Sequence, residues 1–181
     1  VAPTGTGKTL AYLLPILMQL DKERREAQAV VLAPTYELAM QITTEARDLS
    51  QKADLGIRVQ GLIGGANIAR QIDKLKEKPQ IVVGSAGRIL ELARKGKLKL
   101  TGVRFLVLDE FDRLLDDQND MMTADVVKLL PQDRQALMFS ATDPKKERER
   151  ASFLGHPELI EIEQSAEEMA ACHHYFVTVP F

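Results

Sequence analysis

Ala2-Pro3-Thr4-Gly5-Thr6-Gly7-Lys8-Thr9 is a glycine-rich loop set directly before a largely apolar run, residues 10–20. Gly5 and Gly7 let the backbone turn so that successive N–H groups point inward around an anion, and Lys8 carries a cation to the outer phosphates of a nucleotide. Thr9 adds a hydroxyl suited to a metal ion. The apolar run opens a helix whose positive end faces the anion. Ala2 stands where the full phosphate-loop pattern has glycine, so the pattern is met in its second half only. With Gly at about 7% of residues in average proteins, a chance G-x-G-K-T is rare in a chain this short. A Gly-rich turn that merely caps a helix is the ordinary alternative.

Further along, Phe105-Leu106-Val107-Leu108 is a continuous apolar run of the kind found in buried parallel strands, and it ends in Asp109-Glu110. Open α/β sheets bind ligands at such strand ends. A carboxylate there is the magnesium partner that a phosphate loop requires, and the two motifs together point to nucleotide hydrolysis.

Between and beyond them, apolar runs alternate with helix-period segments, which predicts βα units around a parallel sheet. Strands are expected at 29–33, 57–63, 80–83, 103–108, 136–139 and 159–162, and helices at 9–24, 37–52, 67–76, 86–94, 121–130 and 144–153. Pro15 should kink the first helix or loosen a turn. The charge runs 74–78 and 147–150 read as solvated helix faces.

At 181 residues, one domain with a full core is expected. The formal charge of −2 removes any argument from overall basicity, so a nucleic acid would have to bind at a local surface. Cys172 is the only cysteine, which excludes an intrachain disulfide and a cysteine zinc site and suits a reducing, cytoplasmic setting. No apolar stretch reaches the length needed to span a bilayer, and no membrane partner is expected. His156, His173 and His174 lie far along the chain from the phosphate loop and read as structural.

Four more short sequences sit at expected strand ends: Pro34-Thr35-Tyr36-Glu37-Leu38-Ala39, Gly64-Gly65, Ser85-Ala86-Gly87-Arg88 and Ser140-Ala141-Thr142. Each has an ordinary reading as a helix cap or tight turn. In this order, with Asp109-Glu110-Phe111-Asp112 between the third and fourth, they resemble the DEAD-box family of ATP-dependent RNA helicases along the whole chain. The resemblance implies an α/β, RecA-like P-loop NTPase fold, a mainly parallel sheet sandwiched between helices. Residues 1–181 would form a single ATP-binding lobe, cut just before the adenine-reading segment and ending near the linker to a second RecA-like lobe.

By position, the resemblance places Thr4, Gly5, Thr6, Gly7, Lys8 and Thr9 on the ATP phosphates. Thr9 and Asp109 would hold Mg2+, the latter through water, and Glu110 would orient and deprotonate the attacking water; Lys8, Asp109 and Glu110 form the catalytic set. Asp112 would pair with Ser140 and Thr142, with Ala141 between them, coupling the nucleotide site to closure of the lobes. Pro34, Thr35, Tyr36, Gly64, Gly65, Gly87 and Arg88 would line a track for the RNA backbone that reads no bases. The partners implied are RNA and the second lobe, in a monomeric protein. The arginines that stabilise the transferring phosphoryl group belong to that second lobe, so the isolated chain is expected to bind ATP weakly and hydrolyse it barely.

Three residues depart from the family's pattern. Tyr36 stands where arginine is usual and removes a cation from the track. Ala86 replaces a rigid proline. Phe111 replaces a small alanine, so a bulky ring must find room beside the acidic pair. Two other readings compete: a different P-loop NTPase, although neither an Asn-Lys-x-Asp nor a Leu-Ser-Gly-Gly-Gln sequence occurs, and an RNA clamp or scaffold with dispensable hydrolysis, which the intact Lys8, Thr9, Asp109 and Glu110 argue against. The cluster Arg94, Lys95, Lys97 and Lys99 could extend the track, but reads better as a helix C-terminus turning at Gly96.

Overall fold

The computed structural model describes residues 7–65, 67–116, 119–141, 149, 151–154, 158 and 160. In chain order they form α1 (Lys8–Gln19), β1 (Ala29–Leu32), α2 (Tyr36–Lys52), β2 (Val59–Leu62), α3 (Ile68–Leu75), β3 (Ile81–Gly84), α4 (Ala86–Arg94), β4 (Phe105–Asp109), α5 (Phe111–Leu114), α6 (Asp120–Lys128) and β5 (Gln135–Phe139), followed by a 3₁₀ turn at Ala151–Leu154. The five strands make one sheet in the order β2-β3-β1-β4-β5, and every pairing is parallel.

Strand residues point alternately to the two faces, and the core divides accordingly. Ala29, Val31, Ala33, Val83 and Val107 pack with Tyr12, Leu13, Ile16 and Leu17 of α1 and Ala39, Ile42 and Ala46 of α2. Val30, Leu32, Val82, Leu106 and Leu108 pack on the other face with α4, α6 and the short α5. Central strands buried on both faces explain why β1 and β4 read as unbroken apolar runs. β5 is only half-buried.

The helices begin where short polar side chains satisfy the first-turn N–H groups. Thr35 accepts from Leu38 N at 3.2 Å, Asn67 from Ala69 N at 2.9 Å, and Ser85 from Arg88 N at 3.4 Å. α4 ends as the basic cluster suggested: Gly96 adopts φ +67°, its N–H bonds Ala93 O at 2.9 Å, and Lys97 N bonds Leu92 O at 2.9 Å. That is a Schellman stop. Arg94 and Lys95 are meanwhile paired with Asp125 and Glu91.

The first helix is shorter than its sequence pattern. It runs unbroken through Pro15 but stops at Gln19, and Leu20 is extended. The cause is Gln28, wholly buried, whose amide accepts from Asp21 N and donates to Asp21 O and Arg24 O, drawing residues 21–24 out of helical geometry. The expected helix 144–153 falls largely outside the described residues; Glu149 is helical and 151–154 is a 3₁₀ turn. The expected strand 159–162 lies outside them except for Ile160, which is not in a strand, and the three histidines lie outside altogether.

Candidate functional site

A parallel sheet in register delivers all its strand exits to one edge. Leu32 aligns with Gly84 and Leu108, Leu62 with Gly84, and Asp109 with Phe139. The segments that follow, beginning at Pro34, Gly64, Ser85, Glu110 and Ser140, therefore emerge together.

Thr4, Gly5 and Thr6 lie outside the described residues. Gly7 is the N-cap of α1 at φ 78°, a left-handed conformation in which side chains are strained, and it offers the first turn no side-chain cap. Among the described residues a Cβ there would meet nothing within 4 Å, and it is the conformation that calls for glycine. Lys8 and Thr9 follow at the first turn, where N–H groups find no helical carbonyl and the helix dipole favours an anion.

Asp109 closes β4 and is 4% exposed. Burial raises its carboxyl above the ordinary 3.8; the Tyr12 hydroxyl, the Glu110 N–H and the Lys8 ammonium oppose that shift, and Asp112 adds to it. Oδ2 accepts from Tyr12 Oη at 2.9 Å and Oδ1 from Glu110 N at 3.0 Å. Lys8 and Asp109, a hundred residues apart in sequence, are thus brought into electrostatic contact. Glu110 has φ 50° and ψ 53°, a left-handed non-glycine residue that turns the chain sharply from β4 into α5. Backbone strain of this kind gathers at working sites. Its side chain points into partial solvent, with Arg113 Nη1 at 3.5 Å.

Phe111 finds its room by turning inward: it is 3% exposed and joins the core beside α4 and α6. Asp112 is half-buried, and among the described residues its Oδ1 has no hydrogen-bond partner. Ser140 is buried just past β5 and Ala141 is exposed; Thr142 lies outside the described residues.

On the other side of the edge, Pro34 and Thr35 are half-buried and Tyr36, the first residue of α2, is 53% exposed, so its ring does not fold back onto the core. Gly64 and Gly65 are exposed, and among the described residues nothing lies within 4 Å of where their Cβ atoms would sit; Gly65 has φ 76°. Gly87 leaves room for Met122 Sδ, 3.4 Å from where a Cβ would sit. Ala86 occupies the first position of α4, the place where proline is otherwise accommodated, so the helix start survives the exchange. The Arg88 side chain is only 12% exposed, with its Nε 3.1 Å from Glu91 Oε2. What this turn presents to an anion is therefore chiefly backbone.

A family model described as DEAD/DEAH box helicase matches residues 1–151. The chain belongs to that family. It is 45% identical over 179 residues to the DEAD-box ATP-dependent RNA helicase CshC of Bacillus cereus, covering 97% of this chain and 45% of the relative. It is 41% identical over 177 residues to the probable ATP-dependent RNA helicase YfmL of Bacillus subtilis, covering 97% and 46%. The chain thus spans less than half the length of these curated relatives. Among solved structures it is similar to a DEAD box protein from the hyperthermophile Methanococcus jannaschii, with TM-score 0.74, 31% identity, 83% of this chain and 40% of that one covered. An S. cerevisiae Dbp5 variant bound to RNA and ADP BeF3 gives TM-score 0.75 and 29% identity, covering 90% and 40%. The fold is the family's RecA-like α/β domain.

Against that family, the donor set suits magnesium. Among the described residues no three His, Cys, Asp or Glu side chains gather into a metal cage, and magnesium is characteristically held by one or two carboxylates together with substrate phosphates. Asp109 offers a buried carboxylate, and Thr9 a hydroxyl on the adjoining helix. Sequence reasoning missed one neighbour, Tyr12. Its spacing of three from Thr9 and four from Lys8 puts it on the same helix face, which was the available signal.

Proposed function

We propose that this chain is the ATP-binding and RNA-binding first lobe of a DEAD-box ATP-dependent RNA helicase, which couples ATP hydrolysis to local remodelling of RNA duplexes or RNA–protein complexes. The observation that carries the reading is the meeting of Lys8, Thr9, Asp109 and Glu110 at the edge where the parallel strands end. Lys8 and the α1 N-terminus would bind the outer phosphates of ATP; Thr9, and Asp109 through water, would hold magnesium. The metal, when bound, would neutralise charge on the phosphates. Glu110, held off the strand axis by its left-handed turn, orients water for attack and accepts its proton.

The exposed Gly64-Gly65 and the starts of α2 and α4 offer backbone N–H groups and helix dipoles to RNA phosphates, a mode that carries no base sequence. Relatives about twice as long motivate the further assignment of phosphoryl-stabilising arginines to a second lobe, and such a residue is worth about 10³–10⁵ in rate. The isolated chain should accordingly turn over ATP very slowly.

The test is ATP hydrolysis by the intact protein that carries this chain, with and without single-stranded RNA. Stimulation by RNA that Glu110→Gln abolishes, with ATP binding retained, supports the proposal. RNA remodelling that survives Glu110→Gln would favour a clamp with dispensable hydrolysis.

A further inference from the structure

Tyr12 is wholly buried, and its position joins three elements. Its ring lies against Phe139 at the end of β5, with centroids 5.0 Å apart and an interplanar angle of 50°. Its hydroxyl donates to Asp109 Oδ2 at the end of β4, 2.9 Å away. Packing alone does not account for the hydroxyl, because phenylalanine would fill the same slot beside Phe139. A buried phenol also needs a partner, and this one has taken the carboxylate proposed to face the metal.

Donation from the Tyr12 hydroxyl holds one carboxylate oxygen of Asp109 and leaves its remaining lone pairs for a cation. Asp109 Oδ1 is fixed in turn by the Glu110 N–H.

Resting on the ATP and magnesium reading above, we infer that Tyr12 is a positioning residue that orients the Asp109 carboxylate and so sets the affinity of the nucleotide site for magnesium. It touches neither phosphate nor metal. Outer partners of this sort orient the ligands they touch, and their removal lowers metal affinity by roughly 10- to 100-fold.

The experiment uses the intact protein that carries this chain and a fluorescent ATP analogue, titrated with magnesium chloride and, separately, bound in EDTA. Tyr12→Phe keeps the ring against Phe139 and removes only the hydroxyl. It should raise the magnesium midpoint roughly ten-fold and leave metal-free affinity unchanged. Phe139→Leu loosens the same slot without touching the hydroxyl; it should lower the melting temperature and leave the midpoint where it was. A midpoint unmoved by Tyr12→Phe overturns the inference, as does one moved equally by Phe139→Leu, since either makes Tyr12 a packing residue. If the unaltered protein binds the analogue with no response to magnesium, the underlying functional reading has failed instead, whatever Tyr12 does.

Discussion

Glu110 holds a left-handed backbone conformation at the turn that aims its carboxylate, and replacing it by glycine should separate the strain from the chemistry. For an L-residue this conformation costs roughly 1–2 kcal/mol, and glycine relieves it while losing about 0.5–1 kcal/mol through the extra freedom of its unfolded chain. Among the described residues the side-chain interaction given up is the ion pair with Arg113 at 3.5 Å, whose partners are 63% and 42% exposed. A pair of that kind is worth at most about 0.5 kcal/mol. The Glu110 N–H bond to Asp109 is made by backbone and remains available to glycine. The balance places Glu110→Gly between about 0.5 kcal/mol less stable and about 1.5 kcal/mol more stable than wild type, while Glu110→Gln keeps the Cβ and its strain and stays within about 0.5 kcal/mol of wild type. Both should lose ATP hydrolysis in the intact protein. Urea titrations of the three proteins, compared at equal slope, check the order. Glu110→Gly falling more than about 1 kcal/mol below Glu110→Gln would refute the assignment of strain.

Asp109→Asn should remove a buried charge at nearly constant volume: the amide oxygen can still accept from Glu110 N, while the contact with Tyr12 reverses, the amide N–H donating to the phenol oxygen. Burial raises the Asp109 carboxyl, so the folded state holds its proton more tightly than the unfolded chain. Wild type therefore loses stability relative to Asp109→Asn as pH climbs from the ordinary 3.8 through the raised folded value. Paired melting curves across that range would show the gap, and a gap that closes with rising pH contradicts it. Ser50, 4% exposed, donates to Ile57 O at 2.8 Å and accepts from Ile57 N at 3.0 Å. Ser50→Ala should cost about 2–4 kcal/mol in urea unfolding by leaving both backbone groups unpaired, and a loss under about 0.5 kcal/mol would show them re-partnered. Tyr36→Arg adds a cation to the exposed start of α2. Its log–log salt slope for single-stranded RNA should steepen by about 0.7, the value of one added phosphate contact, with an unchanged slope placing that position off the track.

The sheet was readable because its strands are buried on both faces: Phe105 to Leu108 could hardly be anything but a central strand, and the carboxylates after it marked the ligand edge. Caps were equally local, as Thr35, Asn67 and Ser85 each act within three residues. The misses have non-local or very short causes. Nothing near residues 20–24 announces that Gln28 will pull them out of the helix. α5 has four residues, too few to show a period. Tyr12 reads as core because its partner Asp109 lies 97 residues away. Arg88 is a different lesson. Glu91 stands one turn later, at the spacing for an ion pair, so its engagement within the protein was there to be read.

The central claim is that α1 and β4 form one magnesium-dependent ATP site, and calorimetric titration of ATP in excess magnesium tests it most directly in the intact protein and its Lys8→Ala variant. Loss of the charged bonds from Lys8 is worth about 1.5–3 kcal/mol, which is roughly a 10- to 150-fold weaker Kd. The account predicts single-site binding weakened by that factor. Equal affinity in the two proteins would contradict it.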